Sequence, residues 1–179
     1  YEIEPFNSNE ANLYGLEVEF VKDLDFIQSL ENFNVGGNFT FIRSVIDISE
    51  ETLKYIREVD PDREDTRPML GQAPFIINAF LGYNNPERKI SSNLGFNVTG
   101  EKLYLITKGR LPYEYEEPRA LLNFNVSKSY DNGFGIEMSV DNILNSEYRT
   151  THHFENEDRY SRKYSEGRTY SLSLSYTIQ

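Results

Sequence analysis

The chain contains no cysteine and no tryptophan, and only two methionines and two histidines. Without a thiol there is no disulfide framework, no zinc ribbon and no thiol nucleophile. The absence fits an oxidising compartment. Basic residues are scarce: 18 Lys plus Arg face 29 Asp plus Glu, giving a net charge of −11. So acidic a chain offers no basic surface to a phosphate backbone, and nucleic acid is not expected as a partner. No apolar run approaches the ~18 residues that a membrane-spanning helix needs. There is no Gly-x-Ser-x-Gly elbow and no glycine-rich phosphate loop, so neither catalysis nor a cofactor is expected. Tyr1 opens the chain with no charged-then-apolar leader behind it, which reads as a mature chain or a fragment.

What is present pulls two ways. Hydrophobic residues make up 38% and the mean hydropathy is −0.60, low for a packed core, yet Tyr counts 13 and Phe 12. A disordered chain carries far fewer aromatics. Many aromatics beside many Asn and Ser suggest strands with one apolar and one polar face.

Period-2 alternation supports this along most of the chain. At the C-terminal end Tyr170, Leu172, Leu174, Tyr176 and Ile178 alternate with Ser171, Ser173, Ser175 and Thr177. Segment 133–141 places Phe134, Ile136, Met138 and Val140 on one face. Segment 121–130 does the same with Leu122, Phe124, Val126 and Tyr130, against Asn123, Asn125, Ser127 and Ser129. Segment 89–106 reads as one long strand, with Ile90, Leu94, Phe96, Val98, Tyr104 and Ile106 on its apolar side. Segments 74–84, 33–46 and 13–21 complete seven strands. The spacing predicts a short helix over 49–59, with Ser49 as N-cap. Leu24, Phe26, Ile27 and Leu30 are expected to pack as an apolar plug of their turn.

The connections alternate in length. Asn84–Arg88 and Asp131-Asn132-Gly133 are short turns, whereas 47–71, 107–117 and 155–167 are long and charged. Short turns at one end and long loops at the other suit an outer-membrane barrel. Tyrosines near the ends of the apolar segments suit an interfacial belt. On this reading Phe96, Val98, Phe124, Val126, Ile136, Met138, Leu172 and Leu174 face lipid. Glu17, Glu19, Glu101, Glu137 and Asp141 would then line the lumen. Seven strands cannot close a single-chain barrel of even strand number. Counting back from the end puts Tyr1 in a long outer loop, as in a C-terminal piece of a larger barrel.

Several stretches carry a family resemblance. They are Asn12-Leu13-Tyr14-Gly15-Leu16-Glu17-Val18-Glu19, Arg67-Pro68-Met69-Leu70-Gly71-Gln72-Ala73-Pro74 and Glu117-Pro118-Arg119. To these add Val140-Asp141-Asn142-Ile143-Leu144-Asn145-Ser146-Glu147-Tyr148-Arg149 and Glu166-Gly167-Arg168-Thr169-Tyr170. In order and spacing the chain resembles the C-terminal β-barrel portion of TonB-dependent outer-membrane receptors. The resemblance implies an all-β, antiparallel transmembrane β-barrel, of which residues 1–179 supply about seven C-terminal strands of a 22-stranded type. It implies import of a scarce nutrient (an iron chelate, cobalamin, an oligosaccharide or a peptide) across the outer membrane of a Gram-negative bacterium. The implied partners are outer-membrane lipid, a plug domain with the remaining strands, TonB through the N-terminal part, and a surface lipoprotein. One departure is the ending Tyr176-Thr177-Ile178-Gln179, which lacks the family's terminal aromatic. A soluble β-sandwich or lipocalin-like binding module is the alternative on periodicity alone.

Candidate ligand- or partner-contact residues are few. Tyr113 and Tyr115 lie in the Pro-bounded stretch 111–118 and could stack on a ring; Arg149 and His152 stand near the outer ends of strands. His152 and His153, adjacent on a strand, would point to opposite faces, so no metal site is expected. The acidic loop 47–65 lacks EF-hand spacing and reads as solvated. The mixed charges of 155–168 read as loop-to-loop ion pairs.

Overall fold

The computed structural model describes residues 10–58, 60–107, 111–154 and 157–178. Tyr1 and Gln179, named above, and the first two residues of the charged segment 155–168 lie outside the described residues. The fold is all-β with antiparallel sheets. Its main sheet runs in chain order through β1 (Asn12–Asp23), β2 (Phe33–Asp47), β4 (Phe75–Asn85), β5 (Ile90–Thr99), β8 (Arg119–Ser129), β9 (Phe134–Asp141) and β12 (Thr169–Tyr176). A two-residue β3 (Thr66–Arg67) pairs with the end of β2. The small sheet has the order β11 (Asp158–Ser165), β10 (Glu147–His153), β7 (Glu114–Glu116), β6 (Lys102–Leu105). Among the described residues one α-helix occurs, α1 (Glu50–Ile56), and no helix is long and apolar enough to cross a membrane.

The main sheet is the seven-strand meander that the alternation predicts, and its register explains why the pattern is so clean. Directly opposed residues share a face. Val18, Phe39, Ile77, Val98 and Ala120 therefore form one apolar row across five strands. Leu94, Phe124, Val140 and Tyr170 form another. Val126, Met138 and Leu172 align in a third, and Ile136 opposes Leu174. On the other face the Asn78 amide donates to Asn38 Oδ1 at 2.7 Å, and the Asn97 amide donates to Asn78 Oδ1 at 2.6 Å. The Ser91 and Ser127 hydroxyls meet at 2.8 Å.

Among the described residues no second layer covers the apolar face. Leu16, Val18, Phe20, Phe39, Phe41, Met138, Leu172 and Leu174 are all exposed. The chain's accessible surface is 12917 Å², against the about 9,000 Å² expected of a compact monomer of this mass. Nor, among the described residues, does the sheet close on itself: β1 pairs there with β2 alone and β12 with β9 alone.

Segment 89–106 is not one strand. Pairing stops at Gly100–Glu101, between β5 and β6. The same happens on three neighbouring strands: at Glu117–Pro118 between β7 and β8, at 142–146 between β9 and β10, and at 166–168 between β11 and β12. The small sheet is thus the continuation of β5, β8, β9 and β12 beyond an aligned crease. Pro118 accounts for one break, because it has no N–H to give to a ladder. Asn142 and Asn145 adopt positive φ (53° and 51°), as does Gly167 (79°), conformations that Asn and Gly take at least cost. The Asn142 amide staples the crease: Nδ2 donates to Gly167 O at 2.8 Å, and Oδ1 accepts from Ser146 N at 2.9 Å. Arg119 bridges to Glu166 at 2.5 Å across the same line.

Helix α1 starts where expected, with Ser49 Oγ accepting from Thr52 N at 3.3 Å. Its buried residues Leu53 and Ile56 pack with Ile48 against Leu103 and Tyr113 of the small-sheet side, and this is the hydrophobic core of the molecule. The anticipated plug of the first turn does not form. Phe26 is 67% and Ile27 42% exposed, because the turn has no neighbour to pack against. The Asp131-Asn132-Gly133 turn does form: Gly133 takes φ 85° and its N–H donates to Tyr130 O at 3.1 Å.

Candidate functional site

The small sheet and α1 together enclose a cavity of about 210 Å³, lined by Ile56, Asp60, Arg63, Glu101, Leu111, Pro112, Tyr113, Tyr115 and His153. Each wall comes from a different segment. The turns after α1 bring Asp60 and Arg63, the crease brings Glu101, β7 and the residues before it bring the two tyrosines, and the end of β10 brings His153.

Tyr113 is 4% exposed and sits in the core with the Arg63 guanidinium 5.1 Å over its ring. Tyr115 is half-buried, accepts from Arg63 Nη2 at 3.2 Å, and stands 5.0 Å from the His153 ring. His152 is not one of the lining residues, although its Nδ1 lies 2.8 Å from the carbonyl of the lining residue Pro112. Arg149 also lies elsewhere; it pairs with Glu147 at 2.6 Å and Glu117 at 3.5 Å. Of the four candidate contact residues, the fold therefore unites the two tyrosines and leaves Arg149 and His152 outside the lining.

β7 is an inner strand of the small sheet, and its carboxylates and that of the following Glu117 are engaged. Glu114, 3% exposed, accepts from Thr150 Oγ1 at 2.5 Å. Glu117 accepts from Thr151 Oγ1 at 2.6 Å. Glu116 takes Lys102 at 3.0 Å and the Tyr148 hydroxyl at 3.2 Å. Burial, followed by the nearby Glu116 charge, pushes the Tyr148 phenol up to about 12. Arg149 holds the Glu147 carboxyl below the usual carboxylate range, with help from Lys163.

Arg63, Asp60, Glu101 and His153 went unnoticed as parts of one site. Periodicity placed Glu101 on a polar strand face, and it carries no information about which loops meet. Among the described residues no group of His, Asp and Glu is arranged to hold a metal ion. The cavity combines three aromatic rings with both signs of charge, so it can take a small polar group or a side chain. It is small beside the ~300–1,000 Å³ of pockets that take drug-sized ligands. No known protein family, curated protein or solved structure matches the chain.

Proposed function

We propose that the main sheet is part of the wall of an outer-membrane β-barrel of the TonB-dependent receptor type, with the small sheet and α1 forming its extracellular loops. The protein would import a scarce nutrient by energy-coupled transport. One observation carries the reading: a seven-strand sheet leaves a continuous apolar face uncovered while its opposite face is tied by a ladder of asparagines. Water on both sides would make that apolar face a large liability, whereas hydrocarbon on one side and a polar lumen on the other suit it. Aromatic pairs at the short-turn end, Phe33 with Tyr83 at 4.9 Å and Phe134 with Tyr176 at 4.7 Å, fit an interfacial girdle. The free edges of β1 and β12 call for further strands, because hydrocarbon cannot satisfy an open ladder.

These 179 residues contain no cysteine, so once any cysteines elsewhere in the full-length protein are replaced, each introduced thiol reports on one position. Single variants Phe96→Cys, Leu172→Cys and Asn97→Cys, each carrying a polarity-sensitive dye, are placed in the full-length protein in lipid vesicles. Nitroxide lipids should quench the first two, and a water-soluble quencher the third. Equal quenching of all three from water, with folding in detergent-free buffer, would return the chain to a soluble β domain. Import is tested separately in cells. Deleting the receptor and deleting TonB should abolish uptake of the same nutrient.

A further inference from the structure

His153 presents a carboxylate to each ring nitrogen. Nδ1 lies 2.7 Å from Asp158 Oδ1 at the start of β11, and Nε2 lies 3.1 Å from Glu101 Oε2 in the crease between β5 and β6. An ionised carboxylate can only accept, and a neutral imidazole carries a single N–H. Both contacts are hydrogen bonds only when both nitrogens are protonated. In the neutral ring one lone pair would face a carboxylate oxygen at the same distance.

We propose that His153 is a protonation-dependent clasp on the cavity: as imidazolium it fastens the β10–β11 hairpin to the crease at Glu101, and on losing its proton it releases one of the two. The setting favours the charged form. Asp158 faces the ring from β11, Glu101 from the crease and the Tyr115 ring from β7, at 5.0 Å. Asp60 and Arg63, from the segment between α1 and β3, line the same cavity, and Arg63 bonds to the Tyr115 hydroxyl. Burial is the largest single influence on the imidazole and works against its charge. The Asp158 and Glu101 carboxylates outweigh it, and proton affinity stays above that of an ordinary histidine.

The sign of the pH dependence follows. A group whose folded-state pKa is raised contributes fully below its unfolded value, about 6.5 for histidine, and loses that contribution as pH climbs through the folded value. The clasp is therefore shut in mildly acidic medium and loosens towards alkaline pH. Each unit by which the folded-state pKa is raised corresponds to an about tenfold preference of the closed state for the proton. Glu101 and His153 are both cavity walls, so release widens access to the space beneath. None of this depends on what covers the apolar face of the main sheet.

The test uses the full-length protein, whose chain supplies two histidine ring signals here. NMR should show His153 titrating above about 6.5. Hydrogen exchange of the β10–β11 amides, corrected for base catalysis, should quicken severalfold across the same pH interval. His153→Gln should abolish that step and leave exchange at the fast level throughout. Glu101→Gln keeps the imidazole, folds independently of the larger change, and should lower the His153 titration. The clasp is overturned by a His153 pKa at or below the ordinary value, by a pH step that survives His153→Gln, or by an unchanged titration in Glu101→Gln.

Discussion

Four of the seven main strands continue into the small sheet across a crease, yet the two sheets hold together by different means. The main sheet relies on ladder hydrogen bonds and cross-strand rows; its large apolar side chains touch each other edgewise and remain open above. The small sheet has a true interior, where Leu103 and Thr150 are fully buried, and it meets a helix on one side. It also concentrates ion pairs, with Lys102, Arg149 and Lys163 engaging the glutamates of β7 and β10. The lesson is that a strand's environment can change within two residues when neighbouring strands break along a common line. One part is finished by its own side chains, and the other awaits a surrounding medium.

The contrast can be broken from either side. The largest effect is expected from Leu103→Ala, which empties a fully buried site and should cost about 2–5 kcal/mol. Exchange protection should fall in α1 and the small sheet while the main sheet keeps its own. Collapse of both would show a single cooperative body. Next, Phe96→Arg places a charge on the uncovered face and should cost about 2–4 kcal/mol if that row lies near a bilayer midplane. A near-neutral result for the reconstituted protein would mean that the face meets water. Third, Asn142→Ala removes both staples of the crease and leaves a Cβ-bearing residue at positive φ, costing about 1–3 kcal/mol. Asn142→Gly should recover about 1 kcal/mol of that, because glycine relieves the backbone and not the lost hydrogen bonds. The smallest effect concerns Tyr148. With its phenol pushed up to about 12, it should ionise later than an unperturbed tyrosine near 10. The small sheet should then lose stability as pH rises above about 10, visible in the ultraviolet titration of wild type against Tyr148→Phe.

How much of this could be read from residues depended on whether one face stayed uniform. The seven main strands were legible because Leu172, Leu174, Met138 and Ile136 alternate strictly with Ser, Gly and Glu along their own strands, and the other strands depart from alternation only at isolated positions such as Ser92. Ser49 marked α1 through its side-chain cap, and Gly133 marked its turn. Strands β10 and β11 were not legible: Thr150-Thr151-His152-His153 and Arg159-Tyr160-Ser161-Arg162 are almost wholly polar and show no alternation. The break at Gly100–Glu101 hid because both residues continue the period. Reading across it assigned Tyr104 to the apolar face and passed over Leu103, which the fold buries completely. Of the cavity only Tyr113 and Tyr115 stood out in the sequence, since its walls come from segments around 56–63, 101, 111–115 and 153 that only the tertiary fold unites.

The chain-order meander also governs how such a sheet is assembled. Every main strand docks on the one made just before it, so each newly seated strand is the template for its successor. Loop closure costs grow only with the logarithm of the intervening length. Three of the closures between successive main strands are long: Asp47 to Phe75, Thr99 to Arg119 and Asp141 to Thr169. The last of these is filled by β10 and β11 with a hairpin of their own. The two ends of that hairpin, Glu147 and Ser165, are paired partners, so the small sheet is a splint that makes the last closure far shorter in space than along the chain.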